Sequence, residues 1–489
     1  DIDNQKYISS FKLLDFIEKS GIYINDPRIK NFIIELKKIN GIKKEIQLDI
    51  TTFTELFKKD IKILKKIFTE DLIIVDFQDF QNDINNIYKK TIKNTNGKNA
   101  SYIPELEKVN PELYGISVCT IDGQICEYGD SDFDFCIQSC SKPISYLIAV
   151  EENGFNKVHE CMGCEPSGVE FNKAVLKKIN KNKQIPHNPM INAGAIMSSS
   201  LIQINKSQTD KFNKVMDTYK KLTANSKVGF QNSTYLSEKA DADRNICLGF
   251  MMKEKKSYLE HVKTTNDIFE ILEFYFQTCS IEMNCRQLSI LASTLANGGI
   301  NPITNEKIFD SENVKNCLSI MNSCGMYDYS GEWAFKVGIP AKSGVGGAIF
   351  LVIPGVMGIA TFSPRLDKNG NSVRGIDFAT EFTKIYNFHQ FDCMFSKKKN
   401  PLHNNKKKFQ NNITNLLYSA SNGDLEEIKK LRIVGFDITL SDYDNRTALH
   451  LAASEGHYNI IKYFTNYCQK YNIEDYLNKK DRWGRTALD

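Results

Sequence analysis

Ser139 and Lys142 stand three residues apart in the stretch Phe135-Cys136-Ile137-Gln138-Ser139-Cys140-Ser141-Lys142-Pro143. A serine hydroxyl becomes a nucleophile when a base within hydrogen-bond reach takes its proton, and a desolvated lysine can be that base. Downstream, Ile144, Leu147, Ile148 and then Glu151 fall at helical spacing, and the pattern fades by Gly154. Pro143 fits only the first turn of that helix, where its missing N–H costs nothing. Ser139 is therefore expected at or just before the helix N-terminus, with Lys142 one turn on and on the same face. The free N–H groups of a helix start favour negative charge beside the serine. The chemistry indicated is acyl transfer. Spacing alone would fit a capping serine equally well in a chain this rich in lysine.

Ser-x-x-Lys is also the spacing of penicillin-binding proteins and class A β-lactamases. Other chemistry-bearing residues offer less. His187 is a rival base by residue type, but a loop histidine beside proline is usually structural. Cys161 and Cys164 form a lone Cys-x-x-Cys with no second pair at zinc spacing. The 13 cysteines are odd in number and scattered, most of them in apolar stretches such as those of Cys119, Cys247, Cys279 and Cys317. That usage indicates reduced, buried thiols in a non-secreted protein. Glu70-Asp71 and Asp76 to Phe80 lack the ligand order and closing Glu of a calcium loop, so no metal is expected.

A net charge of +4, from 63 basic and 59 acidic residues, gives no argument for nucleic acid or an anionic membrane as partner. No apolar run approaches the ~18 residues of a membrane span. The chain opens on Asp1 with no signal-like segment, and an organelle presequence is invisible to this reading.

The 489 residues are enough for about three domains. Residues 1–95 read as helical: Phe11, Leu14, Phe16 and Ile17, then Ile29, Phe32, Ile33 and Leu36, then Phe53, Leu56, Phe57, Ile61, Leu64 and Ile67 recur at helical spacing. Asn25-Asp26-Pro27 is a helix start. Polar Lys89 to Asn99 reads as a linker. A second domain, 100–395, begins with a strand over Tyr114 to Ile121, a turn at Asp122-Gly123 and a return over Gln124 to Tyr128. It closes with strands expected at Trp333 to Val337, Gly347 to Ile353 and Val356 to Phe362, with a turn at Pro354-Gly355. Strands, then many helices, then strands predict an α+β domain. Residues 396–412, with two Lys triplets and Pro401, read as a solvated basic linker.

Residues 413–489 repeat. Arg446-Thr-Ala-Leu-His450 recurs 39 residues later at Arg485-Thr-Ala-Leu-Asp489. Thr-Ala-Leu-His with Ala452, Ala453 and Gly456 is the ankyrin pattern, a few residues over its usual period of about 33. The extra residues are expected in a loop around Gln469 to Tyr476. An atypical first unit lies at Leu416 to Leu431. The sequence stops within a repeat, where an exposed apolar end is expected.

The central domain resembles the phosphate-activated glutaminases of the animal kidney/liver type. The resemblance rests on Ser117 to Gln124, Gln138 to Pro143, Glu165-Pro-Ser-Gly168, His187 to Ala195, Asp243-Arg-Asn245, Phe274 to Gln277, Leu295 to Gly299, Cys324 to Asp328 and Ala341 to Val345, in that order. The flanks agree, since that family carries an EF-hand-like helical region without calcium and C-terminal ankyrin repeats. The resemblance implies a β-lactamase/penicillin-binding-like fold that hydrolyses L-glutamine to L-glutamate and ammonia, without a cofactor. It implies Ser139 as nucleophile and Lys142 as general base. It implies substrate contacts at Tyr102, Gln138, Asn192, Glu238, Asn245, Tyr275, Tyr327 and Val345. It implies activation by inorganic phosphate, assembly of dimers into tetramers or filaments, and a mitochondrial matrix location. Departures lie away from these positions: Ala242 stands where the family usually has glycine, and Ala174 and Val175 where it has bulky apolar residues.

These residue types suit a small zwitterionic substrate. Glu238 offers a carboxylate to the substrate ammonium, and Asn192, Asn245 and tyrosine hydroxyls offer donors to its α-carboxylate. The N–H groups of Ser139 and Val345, the latter expected on the strand after Lys342-Ser343-Gly344, are candidate oxyanion donors. Tyr275 or Tyr327 would relay the proton to ammonia. Lys342 near Lys142 would depress its pKa. Asn172 to His187, with Lys173, Lys177, Lys178, Lys181 and Lys183 and little that could pack, reads as a charged lid on which phosphate could act. Two other readings compete. A penicillin-recognising acyl-serine hydrolase is disfavoured by Glu238 and the ankyrin tail. An inactive scaffold, binding a protein partner through its ankyrin repeats, is disfavoured by intact Ser139, Lys142, Glu238 and Tyr327.

Overall fold

The computed structural model describes residues 7–39, 42, 44–169, 175–392, 398–402, 413–433, 436–471, 473–487 and 489. The chain forms two compact units, 1–391 and 392–489.

In the first unit, apolar residues at helical spacing drive the expected N-terminal helices, Ser10–Lys19, Lys30–Lys38, Ile50–Lys59, Ile61–Phe68 and Phe77–Thr91. Leu13, Ile17, Phe32, Leu36, Leu64 and Ile67 form the shared core of the first four. Phe11 and Phe16 fall on the edge of that stripe and stay partly exposed, Phe16 stacking on Phe68. Asp26 caps a 3-10 turn with Pro27 in its first position. One feature escaped the sequence. Tyr7–Ser9 and Gln47–Asp49 pair as antiparallel strands, with Ile8 opposite Leu48. Each is only three residues long because its last residue, Ser9 or Asp49, caps the next helix. Asp76 likewise caps Phe77–Thr91 by accepting from the Asp79 N–H.

Lys89 to Asn99 is not a free linker. The helix runs on to Thr91, Tyr88 stacks on Tyr114 of the following domain, and Phe80 packs at a tilt against its Tyr386. Buried Arg374 then donates from Nε to the Asn94 carbonyl, and Lys98 bridges to Leu366. The lysine side chains are exposed, as the polar composition signals, but the backbone at Asn94 and Lys98 is held by a neighbouring surface.

The domain that follows is α+β, as expected. Its sheet has five antiparallel strands in the order Ala341–Ser343, Ala348–Ile353, Met357–Phe362, Gly115–Thr120, Ile125–Gly129. The Asp122-Gly123 and Pro354-Gly355 turns fall where the sequence places them. Trp333 to Val337 is the exception: Ser330–Lys336 is a short helix. The apolar alternation there reflects one buried residue, Trp333, whose Nε1 donates to the Ile339 carbonyl at 2.8 Å, beside a fully turned-out Phe335.

The buried helix Cys285–Ala296 lies across the sheet. Gly358 makes the approach possible, since a Cβ there would come within 2.2 Å of the Ser293 nitrogen. We expect Gly358→Ala to cost about 1–3 kcal/mol and to lower the thermal midpoint of this unit. An unchanged midpoint in differential scanning calorimetry would contradict the packing argument. The helix Lys142–Asn153 is buried from Lys142 to Val150, consistent with its nearly uniform apolar character.

The second unit contains a helix at 413–421 and helices Leu425–Ile433, Ala448–Ser454 and Tyr458–Tyr471. Its core joins Leu416, Ala420, Ile428, Ala448, Ala452, Ile460 and Phe464. Thr447 and His450 of the repeated motif form a reciprocal capping box. The extra residues of the long repeat do not form a loop throughout. They extend the helix to Tyr471 and form a 3-10 turn at Glu474–Tyr476, because Phe464, Cys468 and Tyr476 continue the apolar stripe inward. Most of the basic linker, 396–397 and 403–412, lies outside the described residues. No helix among the described residues is long and apolar enough to cross a membrane.

Candidate active site

Ser139 sits in a 3-10 turn, Gln138–Ser141, that runs directly into the helix beginning at Lys142, with Pro143 in its first turn. Three anchors fix this turn. Phe135 stacks on Phe362 of the sheet at 4.2 Å, and the Ile137 N–H donates to the Ile281 carbonyl. The third anchor is a close backbone approach: a Cβ at Gly344 would lie 2.7 Å from the Ile137 carbonyl oxygen. Glycine after Lys342-Ser343 therefore lets the edge strand reach the serine turn. Gln138 (φ 48°) and Tyr327 (φ 53°) both hold left-handed backbone, a conformation that costs a residue other than glycine about 1–2 kcal/mol. Strain of this kind is retained where the surroundings fix a side chain's direction.

Lys142 Nζ donates to Ser139 Oγ at 2.6 Å and to Asn192 Oδ1 at 2.9 Å. Asn192 Nδ2 donates in turn to Asn245 Oδ1 at 3.0 Å. This relay fixes both amides and leaves the Asn245 NH2 group turned to other acceptors. Burial pushes the Lys142 ammonium down to about 8, against the opposing pull of Glu238 and nearby thiols. Lys342 is also wholly buried, donates to the Ser343 carbonyl at 2.7 Å, and sits over the Tyr327 ring at 4.6 Å. Burial first and the charge of Lys142 second bring it down to about 7.

The Tyr327 hydroxyl donates to the Ser343 carbonyl at 3.0 Å, and its oxygen is approached by the Ser139 hydroxyl and the Val345 N–H. The Tyr275 ring lies 6.0 Å from Lys142 Nζ. Burial holds both phenols above their usual range. Glu238 is buried and accepts from the Tyr102 hydroxyl at 2.6 Å. Burial raises its carboxyl, while Tyr102, Gln138 and Lys142 favour the charged form.

The residues that the resemblance implies for catalysis and substrate contact come to one place. A cavity of about 430 Å³ is lined by Tyr102, Gln138, Ser139, Asn192, Glu238, Asn245, Tyr275, Tyr327 and Val345, and Lys142 stands behind Ser139. Val345 is not on a strand. It lies in the turn between Ala341–Ser343 and Ala348–Ile353, so its N–H is outside the sheet ladder. His187 does not line the cavity. The lysine-rich stretch is partly a hairpin, Lys177–Lys178 against Gln184–Ile185, and packs more than its composition implied, through buried Leu176 and Ile185. Lys177 pairs with Glu165 at 2.7 Å. Phe171, Asn172, Lys173 and Ala174 lie outside the described residues. Of the cysteines, Cys164 and Cys247 are exposed, contrary to the buried-thiol expectation for Cys247, which faces out from its helix. Sequence reasoning passed over Asp241, Arg244 and Cys279, which also line the cavity. The one available signal was that Arg244 adjoins Asn245 and Cys279 lies one turn beyond Tyr275.

An antiparallel sheet flanked by helices, with a Ser-x-x-Lys helix start opening into a polar cavity, defines a β-lactamase-like hydrolase. Comparison with known proteins specifies which. The chain belongs to the glutaminase family: the family model for glutaminase matches residues 97–391, with ankyrin repeats over 391–489 and an EF-hand domain over 1–75. It is 40% identical over 490 residues to the mitochondrial glutaminase liver isoform of Mus musculus, covering 100% of this chain and 79% of that one. It is 39% identical over 501 residues to putative glutaminase 2 of Caenorhabditis elegans, covering 100% of this chain and 81% of the other. Among solved structures, probable glutaminase ybaS superposes with a TM-score of 0.59 at 33% identity, over 64% of this chain and 97% of its own. Mglu in its tris and glutamate form gives 0.59 at 32% identity, over 64% of this chain and 67% of its own. The protein is an enzyme, an amidohydrolase acting on the side-chain amide of L-glutamine.

Proposed function

We propose that this enzyme hydrolyses L-glutamine to L-glutamate and ammonia through an acyl-enzyme on Ser139, with Lys142 as general base. The observation that carries this reading is the 2.6 Å contact between two buried side chains, Lys142 Nζ and Ser139 Oγ. When Lys142 is neutral the bond reverses, and the serine O–H donates to the amine lone pair. Ser139 then attacks the amide carbon. The N–H groups of Ser139 and Val345 receive the oxyanion. Tyr327, whose oxygen faces Ser139, passes the proton to the departing ammonia. Tyr275 walls the lysine and keeps it dry. Water then hydrolyses the acyl-enzyme by the same route in reverse. Glu238 takes the substrate ammonium, with Tyr102 and Gln138 holding its carboxylate.

The pH profile tests the base. Ammonium has no lone pair, so the active form of Lys142 exists above its pKa of about 8. The single-turnover rate should rise with pH through about 8, and at pH 6 should be roughly a hundredfold below its plateau. A rate independent of pH between about 6 and 9 would remove Lys142 from the role.

Inorganic phosphate is the proposed activator, with assembly of dimers into tetramers or filaments and a mitochondrial matrix location. The family resemblance supports all three, and the name of the mouse relative supports the location alone. Lys178, Lys181 and Lys183 of the hairpin are not paired with carboxylates among the described residues and stand close in sequence to Asn192. Changing these three to serine should weaken the phosphate response and leave phosphate-free activity unchanged, with Lys177 kept for its pair with Glu165. Activity and light scattering followed together through a phosphate titration would check it. An unchanged midpoint and unchanged scattering would leave the hairpin without a regulatory part.

A further inference from the structure

L-Glutamine carries a negative and a positive charge on one carbon, and the cavity meets them unequally. Glu238 answers the ammonium. The residues assigned to the α-carboxylate, Asn192, Asn245 and the tyrosines, are all neutral. Asn192 is moreover occupied at both ends of its amide, by Lys142 and by Asn245. A carboxylate leaving water gains most from a cationic donor, above all from the planar fork of a guanidinium.

Arg244 is the one cationic side chain among the cavity's lining residues. It lies in the first turn of the helix Asp243–Glu254, immediately before Asn245, and about one turn beyond the end of the helix that carries Glu238. Its guanidinium has no hydrogen-bond or ion-pair partner among the described residues, although Asp241 lines the same cavity. Asn245 spends its carbonyl oxygen on Asn192 and so presents its NH2 group. The helix start carries no side-chain cap, and Asp243 stands in its first turn.

Resting on the glutamine-hydrolysing reading above, we infer that Arg244 is a specificity-determining residue, which binds the substrate α-carboxylate at the cavity mouth together with the Asn245 amide. Glu238 and Arg244 then form a charge pair matched to the zwitterion. They select free α-amino acids and exclude amides in which the α-carboxylate is absent or itself blocked. Because the arginine is exposed, screening limits its effect.

The test is competition against L-glutamine by two molecules that share a chain and an ammonium group: L-glutamate, which has the α-carboxylate, and 4-aminobutanoate, which lacks it. In Arg244→Gln the inhibition constant for L-glutamate should rise about tenfold and kcat/KM for L-glutamine should fall by a similar factor. The constant for 4-aminobutanoate should change less than about twofold. Arg244→Lys should recover part of the loss. Equal weakening of both competitors would show a merely structural role and overturn the inference, as would no change in either. Failure of the glutamine reading is separable: it would appear as absence of ammonia release by the unaltered enzyme, before any variant is compared.

Discussion

Ser139→Ala is expected to reduce kcat for ammonia release by about four orders of magnitude or more, while the enzyme still binds glutamine and unfolds at nearly its original temperature. The substitution removes one hydroxyl from a buried turn held in place by other means: the Phe135–Phe362 stack, the Ile137 bond to Ile281 and the approach of Gly344. Lys142 loses one acceptor and keeps Asn192. A single lost hydrogen bond of this kind costs about 1 kcal/mol of stability, little beside the loss of the reacting atom. Glutamine binding by calorimetry separates the two effects. Turnover near that of the parent enzyme in this variant would overturn the acyl-serine mechanism.

The second large effect is expected at Glu238. Glu238→Gln keeps the shape and the contact with Tyr102 but removes the charge that faces the substrate ammonium. The carboxylate is buried, so its attraction is little screened, and breaking such a pair costs about 2–5 kcal/mol. We expect kcat/KM for L-glutamine to fall by about two to three orders of magnitude or more. The comparison that isolates the charge uses glutaramate, which is glutamine without its α-amino group. The unaltered enzyme should strongly prefer glutamine, and Glu238→Gln should erase most of that preference. Equal hydrolysis of the two amides by the unaltered enzyme would show that Glu238 does not bind the ammonium.

The sequence by itself determined most of the elements and one contact of the candidate site, that of Lys142 with Ser139. Ser139 and Lys142 meet because they lie three residues apart at the start of a helix, and three residues is almost one turn. The N-terminal helices, the Asp122-Gly123 hairpin and the Thr447 cap are equally local, set by periodicity, turn chemistry and capping. Where several local readings were possible, the sequence erred. Trp333 to Val337 alternates like a strand but lies in a helix, with Trp333 buried and bonded to the Ile339 carbonyl. Lys89 to Asn99 looks solvated because its partners, Arg374 and Leu366, are far away in the chain.

The rest of the site was decided by tertiary structure. Asn192, Glu238, Asn245, Tyr275 and Tyr327 come from separate helices and turns, and no spacing in the chain relates them. The family resemblance named them, but the fold set their directions: Lys142 orients Asn192, Asn192 orients Asn245, and the Ser343 carbonyl holds Tyr327. The two buried lysines owe their lowered proton affinities to the same cause. Packing withdraws water from both, and a charged ammonium without water is costly wherever no carboxylate is bonded to it. Local sequence fixes which groups are available and in what order. Only the three-dimensional packing fixes which of them lose water and which face one another, and it is packing that leaves a dry Lys142 against Ser139.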